Sequence, residues 1–231
     1  MSNLTTIIVP AGQTRDLFEK FSNSSSPQIQ CEIHLEKGAR LRHVRIFKDC
    51  DSLSHSSNIT VVQAENSHYQ LHQVNQDTLH LETSTKILLQ GTGAECHLFG
   101  LDWLRNKQVT SNKTLIDHQA PNCTSTELFK GIFDDESQAS FDGTIVVSPG
   151  ASKTRSSQSN RNLLLSKNAT VHTQPHLEIY NDDVKCTHGA TVGQLDPDAL
   201  FYLQARGIDK KTAKAMLTQA FAAEILQGIP E

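Results

Sequence analysis

Short alternations of apolar and polar residues dominate residues 1–195 and predict β-strands. The clearest is Ile29–Leu35, where Ile29, Cys31, Ile33 and Leu35 fall on one side of an extended chain. A period of two residues is that of a strand with one buried face. Further segments of this kind are 41–47, 58–62, 69–74, 79–82, 86–89, 96–101, 144–147 and 177–180. No convincing amphipathic helix separates these strands, which argues against an alternating βαβ fold.

A weak internal repeat runs through the same region. A small or turn-forming residue next to alanine recurs at Gly38-Ala39, Gly93-Ala94, Gly150-Ala151, Asn168-Ala169 and Gly189-Ala190. The last three are 18 and 21 residues apart, near the length of one β-solenoid coil. The pattern is degenerate, and by itself it supports a β-sandwich nearly as well as a solenoid.

Residues 196–231 change to a helical pattern. Asp196 can cap a first helix with Pro197 at its first position, and Gly207 is a stop signal. Asp209 can cap a second helix, in which apolar residues recur every three or four positions up to Leu226. The two helices form an αα-hairpin with a basic outer edge. This basic edge consists of Arg206, Lys210, Lys211 and Lys214. It is either the solvated face of a hairpin that caps the β-region or a docking surface for another protein.

A further short helix is predicted over Ala11–Phe21, since Leu17, Phe18 and Phe21 share one helical face. The run Ser-Asn-Ser-Ser-Ser-Pro over 22–27 then predicts a loop. The sequence therefore divides into a β core over 1–195 and a helical subdomain over 196–231.

Composition and charge narrow the class of protein. A chain of 231 residues with 37% apolar residues can bury a substantial core. Its 21 basic and 25 acidic residues leave a net charge of −4, which disfavours nucleic acid as a partner. No stretch approaches the ~18 apolar residues of a membrane span, and no basic segment precedes an apolar core at the N-terminus. We expect a soluble cytoplasmic protein without a signal peptide or a membrane partner.

The common enzyme signatures are absent from the sequence. It has no Walker motif, GxGxxG, GxSxG or HExxH. The five cysteines are widely spaced without a CxxC, which excludes a self-contained zinc finger. A β-solenoid enzyme that cleaves polysaccharide would need clustered carboxyl groups. Asp182-Asp183 is the acidic pair nearest a plausible site, and a turn between strands is the simpler interpretation of it.

Cys186 and His188 form the most suggestive pair. Residues two apart in a strand point to the same face, and a thiolate with an imidazole can bind iron or zinc. Two ligands do not complete a tetrahedral site, so the others would come from elsewhere in the fold, another chain or a ligand. The alternatives are a buried thiol beside a hydrogen-bonded histidine, or a Cys–His nucleophile pair with no evident orienting group. In a second candidate segment, His118–Ser125, we expect Cys123 to be a core residue.

Several segments together resemble one known family. Residues 182–193 read Asp-Asp-Val-Lys-Cys-Thr-His-Gly-Ala-Thr-Val-Gly, and residues 196–208 read Asp-Pro-Asp-Ala-Leu-Phe-Tyr-Leu-Gln-Ala-Arg-Gly-Ile. These runs resemble the SufB/SufD family of iron–sulfur cluster assembly scaffold proteins, and its SufD branch in particular. Segments 118–125, 129–131, 141–143 and 153–154 are also similar to the family. The specific match covers about residues 115–227. Residues 1–114 share with the family only the general pattern of short strands.

The resemblance implies a fold and a set of partners. The fold is a right-handed parallel β-helix with a small C-terminal helical subdomain, and the role is that of a scaffold without catalytic activity. The implied partners are a SufB-like protein, which forms a heterodimer with this chain, and a SufC-like ATPase, which docks on the C-terminal helices and so on the basic edge. The implied cargo is a transient iron–sulfur cluster shared with SufB, with no intrinsic cofactor.

The resemblance also assigns ligands and raises two alternatives. It makes His188 the residue that faces SufB at the cluster, with Cys186 beside it as the weaker candidate. Without a SufB partner, a homodimer through the same sheet surface is expected, and a purely structural homodimer is the alternative function. Members of the SufD branch usually carry a helical domain before the β-helix, whereas this sequence becomes strand-like almost at once, as a short form would.

Overall fold

The chain folds into a parallel β-solenoid that is followed by two helices. The computed structural model describes residues 4–227 and residue 229, without the side chains of residues 51–53. The strands are β1 (Leu4–Val9), β2 (Thr14–Phe21), β3 (Gln28–Leu35), β4 (Arg40–Gln63), β5 (His68–Leu89), β6 (Glu95–Leu104), β7 (Val109–His118), β8 (Thr124–Phe133), β9 (Gln138–Val147), β10 (Thr154–Leu164), β11 (Thr170–Ile179) and β12 (Val184–Gly193). The helices are α1 (Pro197–Ala205) and α2 (Lys210–Leu226).

The chain alternates between two stacks of parallel strands. The first stack contains β2, the first half of β4, the first half of β5, β6, β8, β10 and β12. The second contains β1, β3, the second halves of β4 and β5, β7, β9 and β11. Each coil thus adds one strand to each stack, and every pairing between the described strands is parallel. This confirms the solenoid and excludes the sandwich, whose sheets would be antiparallel.

Two ladders of tight turns hold the coils in register. At one edge, left-handed residues recur every 26 to 31 positions, at Gly12, Gly38, Asn66, Gly93, Asn122 and Lys153. The backbone N–H of each donates to a carbonyl oxygen of the next turn over 2.6–3.1 Å. At the other edge the left-handed residues are Asp49, Asp77, Asn106 and Asp135. Glycine, asparagine and aspartate tolerate this conformation best, so the turn chemistry of the sequence matches the coil.

The observed coil corrects the repeat length predicted from the alanine pattern. One coil is 26 to 31 residues long, not 18 or 21. Gly38 and Gly93 do lie in the turn ladder, but Gly189 lies within β12 and Asn168 lies near the opposite edge. The predicted spacing was wrong because it counted positions at both edges and in a strand as if they were equivalent.

The helix predicted over Ala11–Phe21 was also wrong, because this segment contains strand β2. Phe21 stacks on Phe47 of β4 with ring centroids 4.6 Å apart. Leu17, Glu19 and Phe21 are the less exposed side of the strand, a period of two that the helical face obscured. Pairing with β4 satisfies the hydrogen-bonding groups of the β2 backbone, and this favours the extended conformation over a helix.

The hydrophobic core lies between the two stacks. Leu41, Tyr69 and Leu98 from the first stack share one cluster with Ile33 and Leu89 from the second. The face predicted for Ile29–Leu35 is confirmed, since the alternate residues ending at Leu35 are its less exposed side and the last three of them are buried. No helix in the described part of the chain has the length and apolarity that crossing a membrane requires.

A buried ionic network lies inside the N-terminal coils. Glu19 Oε2 accepts hydrogen bonds from His43 Nε2 at 2.8 Å and from Arg45 Nε at 2.7 Å. His43 Nδ1 lies 3.0 Å from the Tyr69 hydroxyl, and Arg45 donates to Ser57 Oγ at 2.7 Å. Burial acts to raise the pKa of Glu19, but the hydrogen bond from His43 and the charge of Arg45 outweigh it and lower the pKa to about 2. Burial lowers the pKa of His43, so its neutral ring donates to Glu19 and accepts from Tyr69.

Replacing Glu19 with glutamine is expected to destabilise the protein at neutral pH by about 3 kcal/mol, because Arg45 stays buried without its carboxylate. The folded-state pKa of Glu19 lies below its ordinary value of 4.5, so its contribution is complete above that pH and is lost as pH falls towards 2. The difference between wild type and variant should therefore shrink at pH 3. Urea unfolding followed by circular dichroism at pH 7 and pH 3 measures it.

Glu32→Gln is the matched control, since Glu32 pairs with the half-buried His34 near the surface and its loss should change stability by less than about 1 kcal/mol. An equal destabilisation by Glu19→Gln at pH 7 and pH 3 would show that the ionisation of Glu19 does not contribute to stability.

Gly91→Ala is expected to destabilise the solenoid by roughly 3 kcal/mol or more, because the added Cβ would overlap the backbone of Ala64 and Glu65 in the preceding turn. Gly150→Ala is the control, since a Cβ there meets nothing within 4 Å and the expected change is within about 0.5 kcal/mol. Thermal unfolding of both variants tests the close stacking of the turns. Equal stabilities would show that the turns can move apart.

Candidate functional site at the end of the solenoid

The predicted metal ligands lie on β12, the last strand of the first stack. β12 pairs with β10 on one side, and no described strand pairs with its other side. β11, the last strand of the second stack, likewise pairs only with β9. The unpaired N–H and C=O groups of such an edge can hydrogen-bond to a strand of another chain. The solenoid therefore ends in an open edge that can receive a partner.

Cys186 and His188 share one face of β12, as their spacing predicts. In the register with β10, Cys186 lies beside Ser156 and His188 beside Gln158, and both β10 residues are buried. His188 is nevertheless exposed and Cys186 is half-buried, because no further coil covers them. The His188 imidazole makes no hydrogen bond or ion pair within the described part of the chain. This does not fit the alternative of a buried thiol beside a hydrogen-bonded histidine.

Cys186 is the weaker of the two predicted ligands on electrostatic grounds. Burial raises the pKa of its thiol, and a hydrogen bond from the Ser156 backbone only partly opposes this. The thiol is therefore protonated at neutral pH, and a metal would have to displace the proton. The described residues offer no third His, Cys, Asp or Glu ligand atom close enough to complete a group with Cys186 and His188. Any further ligands at β12 would come from outside this part of the chain.

Two rows of buried polar residues lead from the open edge into the interior. One row runs from Cys186 to Ser156 and Ser125, whose hydroxyl oxygens are 2.6 Å apart. The other runs from His188 to Gln158 and Glu127, and Gln158 Nε2 donates to Glu127 Oε2 at 2.6 Å. The sequence alone does not reveal either row, because residues 30 positions apart meet only through the register of the coils.

Glu127 ends the second row as a buried acid. Burial raises the pKa of its carboxyl, and the hydrogen bond from Gln158 opposes the rise. Its Oε1 and the Oε1 of Gln158 have no hydrogen-bond partner among the described residues. The row behind His188 thus ends in a buried carboxyl group whose hydrogen bonding comes mainly from Gln158.

The other candidate residues lie in the interior of the solenoid or in a turn between strands. Cys123 is buried in the core, as predicted, and its thiol lies 3.3 Å from the Gly91 carbonyl oxygen. Burial lowers the pKa of His118 to about 4, and its Nε2 lies 2.9 Å from Ser125 Oγ. Asp182 and Asp183 lie in the turn between β11 and β12, which confirms their interpretation as turn residues.

The two C-terminal helices begin at the predicted caps. The Asp196 side chain accepts a hydrogen bond from the N–H of Asp198, and Asp209 accepts from Lys211 and Thr212. Helix α2 packs on the outer face of the first stack. There Ala222 and Ile225 share a cluster with Val74, Leu101, Leu128 and Ile132. Helix α1 buries no residue, and only α2 supports it closely.

The exposed side of the hairpin combines cations with apolar rings. All four residues of the basic edge are exposed. Phe201 is 72% exposed, Tyr202 is 57% exposed and Met216 is 45% exposed. Arg206 lies over the Tyr202 ring, 5.1 Å from its centroid. Large exposed side chains of this kind are typical of a surface that another protein covers.

One lysine attaches the hairpin to the sheet. Lys130 of β8 is buried, and its Nζ lies 2.6 Å from Glu224 Oε2 and 2.9 Å from the Phe221 carbonyl oxygen. The same ammonium lies 4.8 Å from the centroid of the Phe221 ring. Glu224 also lies 3.8 Å from Arg161 of β10, so its carboxylate faces two cations and its pKa is lowered. Ion pairs and a hydrogen bond therefore attach the C-terminal half of α2 to β8 and β10.

Fold and site together define a β-solenoid protein with an open terminal edge, a Cys-x-His pair at that edge and an attached helical hairpin. A family model described as "SUF system FeS cluster assembly, SufBD core domain" matches residues 1–221. The chain belongs to this family, which confirms the resemblance found in the sequence.

Curated relatives agree with the family. The chain is 35% identical over 202 residues to the iron–sulfur cluster assembly SufBD family protein slr0076 of Synechocystis, covering 87% of this chain and 45% of that protein. It is 34% identical over 197 residues to the iron–sulfur cluster assembly protein SufD of Escherichia coli, covering 85% and 47%. It is 35% identical over 202 residues to the chloroplastic protein ABCI7 of Arabidopsis thaliana, covering 86% and 42%. The chain spans about half the length of the curated relatives it matches.

Lys130→Ala is expected to loosen α2, because the charge-assisted bonds to Glu224 and Phe221 are lost, at about 2 kcal/mol. Hydrogen exchange of the amides in 221–226 should accelerate at least about tenfold, since opening of the helix becomes easier. Lys214→Ala is the control, because Lys214 is exposed on the same helix. Unchanged protection of α2 in Lys130→Ala would show that the apolar contacts alone hold the hairpin.

Proposed function

We propose that this chain is a SufD-like, non-catalytic scaffold subunit that pairs with a SufB-like protein through the open edge of β11 and β12. The observation that carries the proposal is the position of His188, exposed on an unpaired terminal strand with Cys186 on the same face. A partner that covers this edge brings its own side chains to the two residues. The interface supplies the ligands that the described chain does not offer.

The cargo of this interface is a nascent iron–sulfur cluster shared with SufB. His188 is the proposed ligand from this chain, and Cys186 becomes a thiolate ligand only when iron displaces its proton. The rows that end at Ser125 and Glu127 lie behind these residues, and their buried polar groups support the orientation of β12. No intrinsic cofactor forms part of the proposal. The chain's cytoplasmic location is likewise proposed.

The C-terminal hairpin, proposed as a separate subdomain over 196–231, docks a SufC-like ATPase. The basic edge and the exposed Phe201 and Tyr202 supply a surface that combines charge with apolar area. Lys130 and Glu224 connect that surface to the same stack that ends in β12. Movement of the ATPase can thus reach the cluster edge through a single sheet.

A structural homodimer is the second candidate, since the same open edge can pair with its copy in another chain. Co-expression with SufB-like and SufC-like proteins from the same genome, followed by anaerobic purification, distinguishes the two functions. A stable complex with all three subunits supports the scaffold. A homodimer that retains neither partner contradicts it.

His188→Ala in the assembled complex is expected to lower reconstituted iron–sulfur absorbance by at least about tenfold, the loss typical when even a supporting residue of a metal site is removed. Subunit stoichiometry should stay the same, because His188 makes no side-chain bond that holds the fold. His172→Ala is the matched control, an exposed histidine on neighbouring β11. Full cluster formation by His188→Ala would exclude the proposed ligand role.

A further inference from the structure

A second group of potential metal ligands lies on the outer face of the first stack. His68 begins β5, Glu95 begins β6, and the two residues are direct partners in the parallel register. His97 follows Glu95 by two positions, and so lies on the same face of β6. Since neighbouring backbones in a sheet are held by hydrogen bonds, the three side chains start from fixed positions.

The ligand atoms of these residues are already close together. One atom from each of His68, Glu95 and His97 lies within 4.8 Å of the others. His68 Nδ1 is 3.2 Å from Glu95 Oε2, and the two histidine rings are 5.1 Å apart between centroids. Zinc bonds of about 2.0–2.2 Å place tetrahedral ligand atoms about 3.3 Å apart. His68 Nδ1 and Glu95 Oε2 are therefore already as far apart as two ligand atoms of one zinc ion. Side-chain rotation has to bring the His97 ligand atom closer to these two atoms.

The surroundings favour a defined orientation of the second histidine. The rings of His97 and Phe99 are nearly parallel, 8° apart in angle, with centroids 6.4 Å apart. An ion pair between His68 and Glu95 would need only those two residues, so the nearby His97 imidazole favours a site with three ligands. Two imidazoles and one carboxylate are a ligand set found in catalytic zinc sites and in mononuclear non-haem iron sites.

We infer that His68, Glu95 and His97 bind a borderline divalent cation of the Zn²⁺ type on the outer face of the solenoid. His68 and Glu95 exchange their mutual hydrogen bond for bonds to the ion, and His97 provides the third bond. The side chain of Glu95 is 52% exposed and that of His68 is 23% exposed, so water can fill the remaining coordination positions.

This site is separate from the cluster edge. It lies on β5 and β6, whereas His188 lies on β12, three strands further along the stack from β6 and on the inward-facing side. Strand spacing alone places them about 14 Å apart. The inference therefore does not depend on pairing with SufB or on the role of His188.

Titration of the full chain with Zn²⁺ against a competing chromophoric chelator tests the inference. The measurement uses a Cys186→Ser/His188→Ala background, which removes the pair of residues that is proposed to bind metal at the cluster edge. We expect one bound Zn²⁺ per chain in this background. His97→Gln and, independently, Glu95→Gln should each weaken binding at least about tenfold, the usual effect of removing part of a metal site.

His34→Gln in the same background is the matched control, because His34 and Glu32 form a half-buried pair at 2.8 Å without a second histidine. It should bind Zn²⁺ as tightly as the background. Circular dichroism shows whether each variant is folded. Absence of Zn²⁺ binding in the background, or equal binding by His97→Gln and Glu95→Gln, overturns the inference, and neither result bears on the proposed scaffold role.

Discussion

The parallel, in-register stacking of the coils is the constraint on which the rest of the structure depends. Each coil returns to the same position after 26 to 31 residues, and the left-handed turns at Gly38, Asn66, Gly93 and Asn122 hold this return by backbone hydrogen bonds. Equivalent side chains of successive coils therefore lie in rows. Apolar rows make the core, and buried polar rows are stabilised where neighbours in the row form hydrogen bonds with one another, as Ser125 and Ser156 do.

The same stacking rule explains the open edge at which partner binding is proposed. Inside the solenoid, every strand has a neighbour on both sides, so its backbone and its inward side chains are covered. β12 has a neighbour only on the β10 side within the described chain, so His188 is exposed at a position where Gln158 is buried. The edge of β12 has unpaired backbone groups, and the proposed partner would pair with them and add its own side chains beside His188.

The outer faces of the stacks carry the remaining interactions. On the first stack, α2 covers Leu128 and Ile132, while Lys130 links β8 to Glu224. Near the beginnings of β5 and β6 the face is uncovered and presents the two histidines and the glutamate of the inferred cation site. One sheet thus presents the proposed cluster ligand on its inward face, and carries the hairpin and the inferred cation site on its outward face.

The sequence by itself determined the local features of this protein. Alternation predicted the face of Ile29–Leu35, the caps at Asp196 and Asp209 predicted both helices, and a spacing of two predicted the shared face of Cys186 and His188. Only the tertiary structure decided that residues 14–21 form a strand, that a coil takes 26 to 31 residues, and that His68 meets Glu95 and His97. These features depend on pairing between segments a full coil apart, and local periodicity contains no information on that pairing.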